Sequence, residues 1–128
     1  MTTTPDPDWA KAFAEDWVAA WNSGDIDRVF SHYRDDFEMR TPFIAEQGFS
    51  ADGVLKGKEA VRSYWAPRFA LQPPIRFELI KAFAGVRTVA ILYLNVTRGK
   101  LVVERIELDE NGLGVRAEAI YAEDGTLG

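Results

Sequence analysis

Apolar residues recur at every fourth position through Trp9, Phe13, Trp17 and Trp21. That spacing lines one face of an α-helix. Asp6 stands where an N-cap belongs, Pro7 suits the first helical position and Gly24 ends the run. A short second helix is predicted in "DIDRVFSHYRDD". It is capped by Asp25, buries Ile26, Val29, Phe30 and Tyr33, and turns His32 toward solvent. Asp35 and Asp36 then cap and solvate a turn. "FEMRTP" reads as a strand ending at Pro42, and "FIAEQGFSADGVLKG" as a long loop without period, a kind of segment that often carries function. "KEAVRSYWAPRFAL" predicts a third helix with Val61, Tyr64, Trp65 and Phe69 on its apolar side, which Pro73 and Pro74 prevent from continuing. From residue 75 onward alternation takes over in four strand-like runs, punctuated by Gly85, Arg98-Gly99 and Asn111-Gly112. Helices followed by a meander predict an α+β fold, with three helices on one face of an antiparallel sheet.

The pattern also assigns faces. Glu104 and Arg105 are neighbours in a strand, so they point to opposite sides. A two-residue Asn111-Gly112 turn pairs Glu107 with Arg116 and Arg105 with Glu118, two favourable opposite-charge pairs on one face. The other face then carries Val102, Glu104, Ile106, Leu108, Val115, Ala117, Ala119 and Tyr121. A two-residue Arg98-Gly99 turn sets Tyr93 opposite Glu104 and Asn95 opposite Val102. Arg105 therefore goes out and Glu104 goes in. A carboxyl there must be hydrogen-bonded, protonated, or beside a water-filled pocket.

Composition narrows the chemistry. The chain has 128 residues, 47% of them hydrophobic, which suits one globular domain over 1–128. A net charge of −5 gives no attraction for a nucleic-acid backbone. With no cysteine and one histidine, thiolate and multi-histidine metal sites and a cysteine nucleophile are excluded. No nucleotide, flavin or other cofactor is indicated. The start "MTTTPDPDW" is not a secretory signal and no apolar run spans a bilayer, so the expected location is the cytoplasm, away from membranes.

The order of elements, with "WNSGDIDRVFSHYRDDFEM", "GKEAVRSYW" and "IELDENGL", resembles the NTF2-like superfamily in its SnoaL-like and ketosteroid-isomerase-like branches, from about Trp9 to Glu123. The resemblance implies a cone, with a curved sheet wrapped around helices and an apolar pocket inside. Its members include isomerases, polyketide cyclases, epoxide hydrolases, dehydratases and non-catalytic binding or dimerisation modules, so the fold alone names no activity. The isomerase base position falls on Thr41, which cannot act as a base. The oxyanion tyrosine position falls on Trp17. The position of the protonated acid falls on Glu104. Steroid isomerisation by that mechanism is therefore not expected. SnoaL-type cyclases imply a single acid/base carboxylate, again Glu104. The Arg-x-Asp pattern of the epoxide hydrolases is imitated by Arg105, Glu107 and Glu118, which the register puts on the outer face.

The reading is a small cofactor-free enzyme acting on a hydrophobic, oxygen-bearing molecule, with Glu104 as ionisable centre and Tyr93 beside it. The alternative is a non-catalytic ligand-binding or dimerisation module. Either implies a pocket whose helical walls are Trp17, Trp21, Tyr64 and Trp65. Met39 and Thr41 enter from the first strand. Asn95, Val102, Ala117, Ala119 and Tyr121 enter from the meander. Glu46 in the long loop is a solvated carboxylate, and Arg40 a rim ion-pair partner. The outer sheet face, rich in Leu and Val, predicts a homodimer.

Overall fold

The computed structural model describes residues 6–123. Helix α1 spans Pro7–Asn22, and the Asp6 carboxylate accepts the Trp9 amide at 2.7 Å as its N-cap. Gly24 just beyond takes φ +77°, a left-handed conformation that ends the helix at little steric cost. Helix α2 is only Ile26–Phe30, capped by Asp25. Tyr33, expected as its last apolar residue, instead opens strand β1, Tyr33–Arg40. The local period is ambiguous there, and pairing with the sheet wins over helix continuation. Asp35 and Asp36 accordingly lie in the strand, exposed, with Asp35 3.1 Å from Lys58.

The expected long loop contains two short elements. Helix α3 is Pro42–Glu46, capped by Thr41, and strand β2 is Val54–Lys56, antiparallel to β1. Helix α4, Lys58–Phe69, carries Pro67 in its last turn. Strands β3 (Phe77–Gly85), β4 (Thr88–Asn95), β5 (Lys100–Leu108) and β6 (Gly114–Tyr121) complete a six-stranded sheet in the order β2-β1-β6-β5-β4-β3. So the described residues hold four helices, not three. The sheet is mixed, because β1 runs parallel to β6. That pairing covers what would otherwise be the open edge of β6.

Turn lengths differ from the two-residue expectation, and the faces hold except at Val115, where a bulge sets Gly114 instead opposite Leu108 and against Tyr33 and Ile106. Asn95 pairs with Lys100 and Tyr93 with Val102, so Glu104 stands opposite Ile91. The register moved by two residues, and the side-chain period of two keeps every residue of β4 and β5 on its expected face. At the last hairpin, Glu107–Arg116 and Arg105–Glu118 pair as the charges required. The loop itself is longer, closed by the Asp109 amide donating to the Leu113 carbonyl at 2.8 Å, and a bulge shifts the ladder between Glu107 and Leu108. Further irregularities lie in β1 and β3. Bulges increase local bend and twist, which curves the sheet around the helices.

The core between sheet and helices is unusually aromatic. Trp17 packs against Phe77 and Tyr93, and Trp21 against Trp65 and Phe77, with ring centroids 5.0–5.9 Å apart. Asn22 fastens α1 to β3 by two bonds to one residue: its Nδ2 donates to the Phe77 carbonyl at 2.9 Å, and its Oδ1 accepts the Phe77 amide at 2.7 Å. His32, expected on the surface, is buried. Its Nε2 is 2.7 Å from Asp16 Oδ2 and its ring meets Phe13 edge-on. Shortening α2 turned the residue inward, where a carboxylate on α1 satisfies it.

Candidate active site

The strand alternation that sends Arg105 outward sends Glu104 into the concave side of the sheet, where it is 2% exposed. Tyr93, one strand over and diagonal to it, donates its phenol to Glu104 Oε1 at 3.4 Å. Among the described residues the second carboxyl oxygen has no protein partner, and no cation reaches the carboxyl. Burial pushes the Glu104 pKa up to about 8; the Tyr93 hydrogen bond opposes that rise and the Glu118 charge adds to it. The carboxyl is thus a neutral acid at pH 7 and can donate a hydrogen bond or a proton. Burial likewise holds the Tyr93 phenol well above its ordinary range, with the Glu104 charge adding to it, so it remains a donor.

Glu104 sits on the wall of a cavity of about 60 Å³ that opens to the surface. Helix α1 contributes Trp21 and helix α4 contributes Tyr64 and Trp65. Strand β1 and the α3 cap contribute Met39 and Thr41. The meander contributes Tyr93, Asn95, Ala119 and Tyr121. Thr41 lies against the phenols of both Tyr64 and Tyr121; burial raises the pKa of each, and contact with Thr41 partly offsets that. The indole N–H of Trp21 is a buried donor with no acceptor among the described residues.

Three of the expected wall residues lie behind the cavity instead. Trp17, Val102 and Ala117 are buried in the core. The Trp17 indole donates to the Tyr33 hydroxyl at 2.9 Å, so its polar atom is engaged by β1. The remaining lining was not anticipated: Phe43, Arg68, Leu71, Ile75, Phe77, Thr97, Arg98 and Lys100. Phe43 and Phe77 follow from the contacts of α3 and α1. The cations come from the end of α4 and from the β4–β5 turn, whose length the Arg98-Gly99 signal understated. Arg105, Glu107 and Glu118 lie on the outer face; Glu107 accepts from Arg116 at 2.8 Å. Glu46 is exposed and does not line the cavity, and Arg40 pairs with Glu38 at 2.7 Å. Among the described residues no three His, Cys, Asp or Glu side chains come together as metal ligands, and no helix is long and apolar enough to cross a membrane.

A bulged, mixed sheet closed over aromatic helices, with a polar-tipped cavity on the concave side, defines an NTF2-like protein. Residues 14–122 match the SnoaL-like domain, and the chain belongs to that family. A SnoaL-like protein of unknown function from Burkholderia thailandensis is 39% identical, with a TM-score of 0.84 over 88% of this chain and 93% of that one. The epoxide hydrolase/cyclase-like enzyme SalBIII, which has a role in pyran ring formation in the polyether salinomycin, superposes with a TM-score of 0.72 at 17% identity, over 94% of this chain and 95% of its own. An NTF2-like protein of unknown function from Cytophaga hutchinsonii gives 0.63 at 13% identity, over 90% and 91%. No protein of curated function matches the chain.

Proposed function

We propose that this protein is a cofactor-free enzyme that acts by acid/base chemistry on a small hydrophobic molecule bearing a carbonyl, enol or epoxide oxygen. One observation carries the reading: a buried carboxyl without a counter-cation among the described residues stands at an open aromatic cavity, with one oxygen engaged by Tyr93 and the other free of protein partners there, and its burial raises its pKa. In the reaction the Glu104 carboxyl transfers its proton to a carbonyl or epoxide oxygen as that oxygen gains negative charge. For an epoxide, the C–O bond breaks as the attacking hydroxyl forms the new one. For an enol, the proton goes instead to carbon as the enol O–H gives up its own. The resulting carboxylate takes a proton back from the attacking hydroxyl, from an acidic carbon or from the enol O–H, which restores the acid. Tyr93 steadies the carboxylate in the interval by donating to Oε1. The aromatic side chains around Glu104 lower the local polarity and strengthen both interactions. The likeness to a cyclase-like enzyme is one of fold, and it is compatible with this chemistry without naming the substrate.

The test is turnover of apolar ketones, enols and epoxides by the native protein and by Glu104→Gln. The amide preserves shape but exchanges no proton at neutral pH, so the variant should bind such molecules and not convert them. Undiminished conversion by the variant would end the acid/base reading and leave a ligand-binding module.

We also propose that the protein self-associates through the outer face of its sheet. Leu92, Leu94, Leu101 and Val103 are only half-buried there, and Ile120 and Phe83 are exposed, beside the Arg105 and Glu107 charges. Contiguous apolar surface of this kind is rare on a monomer, and a two-fold pairing of like faces covers it. Sedimentation should report about twice the 14.4 kDa chain mass, and Leu94→Lys with Val103→Lys should return the monomer. A concentration-independent monomer for the native protein would refute the dimer.

A further inference from the structure

The cavity mouth has a charge character that acid/base chemistry alone does not require. Arg68, Arg98 and Lys100 all line it, and among the described residues Glu104 is the only carboxyl in the wall. The remaining cations of the chain are mostly paired, as Arg34 with Asp36, Lys58 with Asp35 and Arg116 with Glu107. Among the described residues the three at the mouth have no carboxylate partner. Arg68 is held in place nonetheless. Its guanidinium lies 3.8 Å from the centre of the Tyr64 ring, donates to the Tyr64 carbonyl oxygen, and reaches Gln47 Oε1 at 3.2 Å. Burial lowers the Arg68 pKa; the Tyr64 phenol opposes that, and the nearby Arg98 charge adds to it. Three cations around one opening, Arg68 among them held in place, on a chain of net charge −5, form a local positive field in a negative protein.

We infer that the ligand is an amphipathic carboxylic acid, its carboxylate held at the mouth by Arg68, Arg98 and Lys100 and its apolar, oxygen-bearing end directed inward toward Glu104. A planar carboxylate suits a guanidinium already fixed by stacking, because little side-chain freedom remains to be lost. The interior is walled largely by aromatic side chains such as Trp21 and Trp65, which suit an apolar segment. The inference deepens the proposed function by naming the substrate class, and it rests on that reading for the cavity as ligand site.

The experiment is calorimetric or NMR titration of the full chain with butanoate, hexanoate and octanoate, each against the primary alcohol of equal length. The carboxylates should bind about tenfold tighter or more at low ionic strength. Added salt should shrink that advantage, since the mouth is partly exposed. The paired substitution Arg98→Gln with Lys100→Gln should shrink it without disturbing the fold, and Arg68→Gln should shrink it further. Equal affinity of acid and alcohol, an acid preference that survives all three substitutions, or no binding of either member of any pair would overturn the inference. Failure of the catalytic reading looks different. Glu104→Gln should retain the acid preference, so acid-selective binding without any turnover would sink the acid/base role and leave the anion site. Turnover of neutral substrates with no acid preference would do the reverse.

Discussion

Native protein should lose stability steadily between about pH 5 and pH 8, and Glu104→Gln should remove most of that loss. In the folded chain Glu104 keeps its proton up to about 8, against an ordinary value of 4.5. Below 4.5 both states hold the proton. Between the two values the folded state binds one more proton than the unfolded state, so each rise in pH favours unfolding. At ~1.4 kcal/mol per unit the full effect is on the order of 4–5 kcal/mol, reached as the folded carboxyl finally ionises. Carboxylates held low in the fold, such as Glu38 hydrogen-bonded by Arg40, lose their contribution only at acid pH and do so in both proteins. The amide of the variant would accept from Tyr93 and never ionise. Urea unfolding at several pH values should therefore give curves that coincide near pH 5 and diverge toward pH 9, with the variant the more stable. Parallel curves would mean that Glu104 is already ionised at neutral pH. If catalysis uses the acid, native turnover should fall through the same region near pH 8.

Gly114→Ala should destabilise the domain by about 1–3 kcal/mol, the usual range for forcing atoms into a filled core. A Cβ at Gly114 would lie 2.5 Å from Tyr33 Cδ1, 2.9 Å from Tyr33 Cε1 and 3.1 Å from Ile106 Cγ2. The Tyr33 ring has nowhere to go. It stacks on Phe37 with centroids 4.4 Å apart, and its hydroxyl accepts from Trp17 in the core. The backbone cannot easily yield either, because the Gly114 amide donates to the His32 carbonyl at 2.8 Å and ties β6 to the start of β1. Chemical denaturation measures the loss directly. An unchanged midpoint would show that β1 and β6 are looser at this junction than the packing states. The strain also runs through Tyr33 to Trp17, so the near-ultraviolet circular dichroism of the aromatic core should change with it.

Much of the fold is written in local pattern. The fourfold aromatic spacing and the Asp6, Pro7 and Gly24 signals set α1 correctly at both ends. The charge pattern across the last hairpin predicted its central register, and hence the inward direction of Glu104, although only Glu107–Arg116 closes as an ion pair there and Arg105 turns to Glu107 instead of Glu118. The β4–β5 turn shows the same tolerance in a different way. Its pairing shifted by two residues, yet Tyr93 still reaches Glu104, because strand faces repeat every second residue and a phenol spans the diagonal.

What alternation and capping determined, then, was which residues face inward: Trp17 and Trp21 of the helical stripe (Trp9 stays exposed), Glu104, Tyr93 and most of the cavity wall. Those signals are local, and they act between residues a few positions apart. The tertiary structure alone decided which inward residues meet open space and which meet each other. Trp17, Val102 and Ala117 face the interior but are sealed in the core, because the depth of a residue depends on what packs from the opposite layer. The parallel union of β1 with β6, the burial of His32 against Asp16, and the gathering of Arg68, Arg98 and Lys100 at one opening all join segments far apart in the chain. Even the chemistry of Glu104 divides this way. Its direction is a matter of strand period, but its raised pKa comes from burial between layers that meet only in the tertiary structure, which no local pattern encodes.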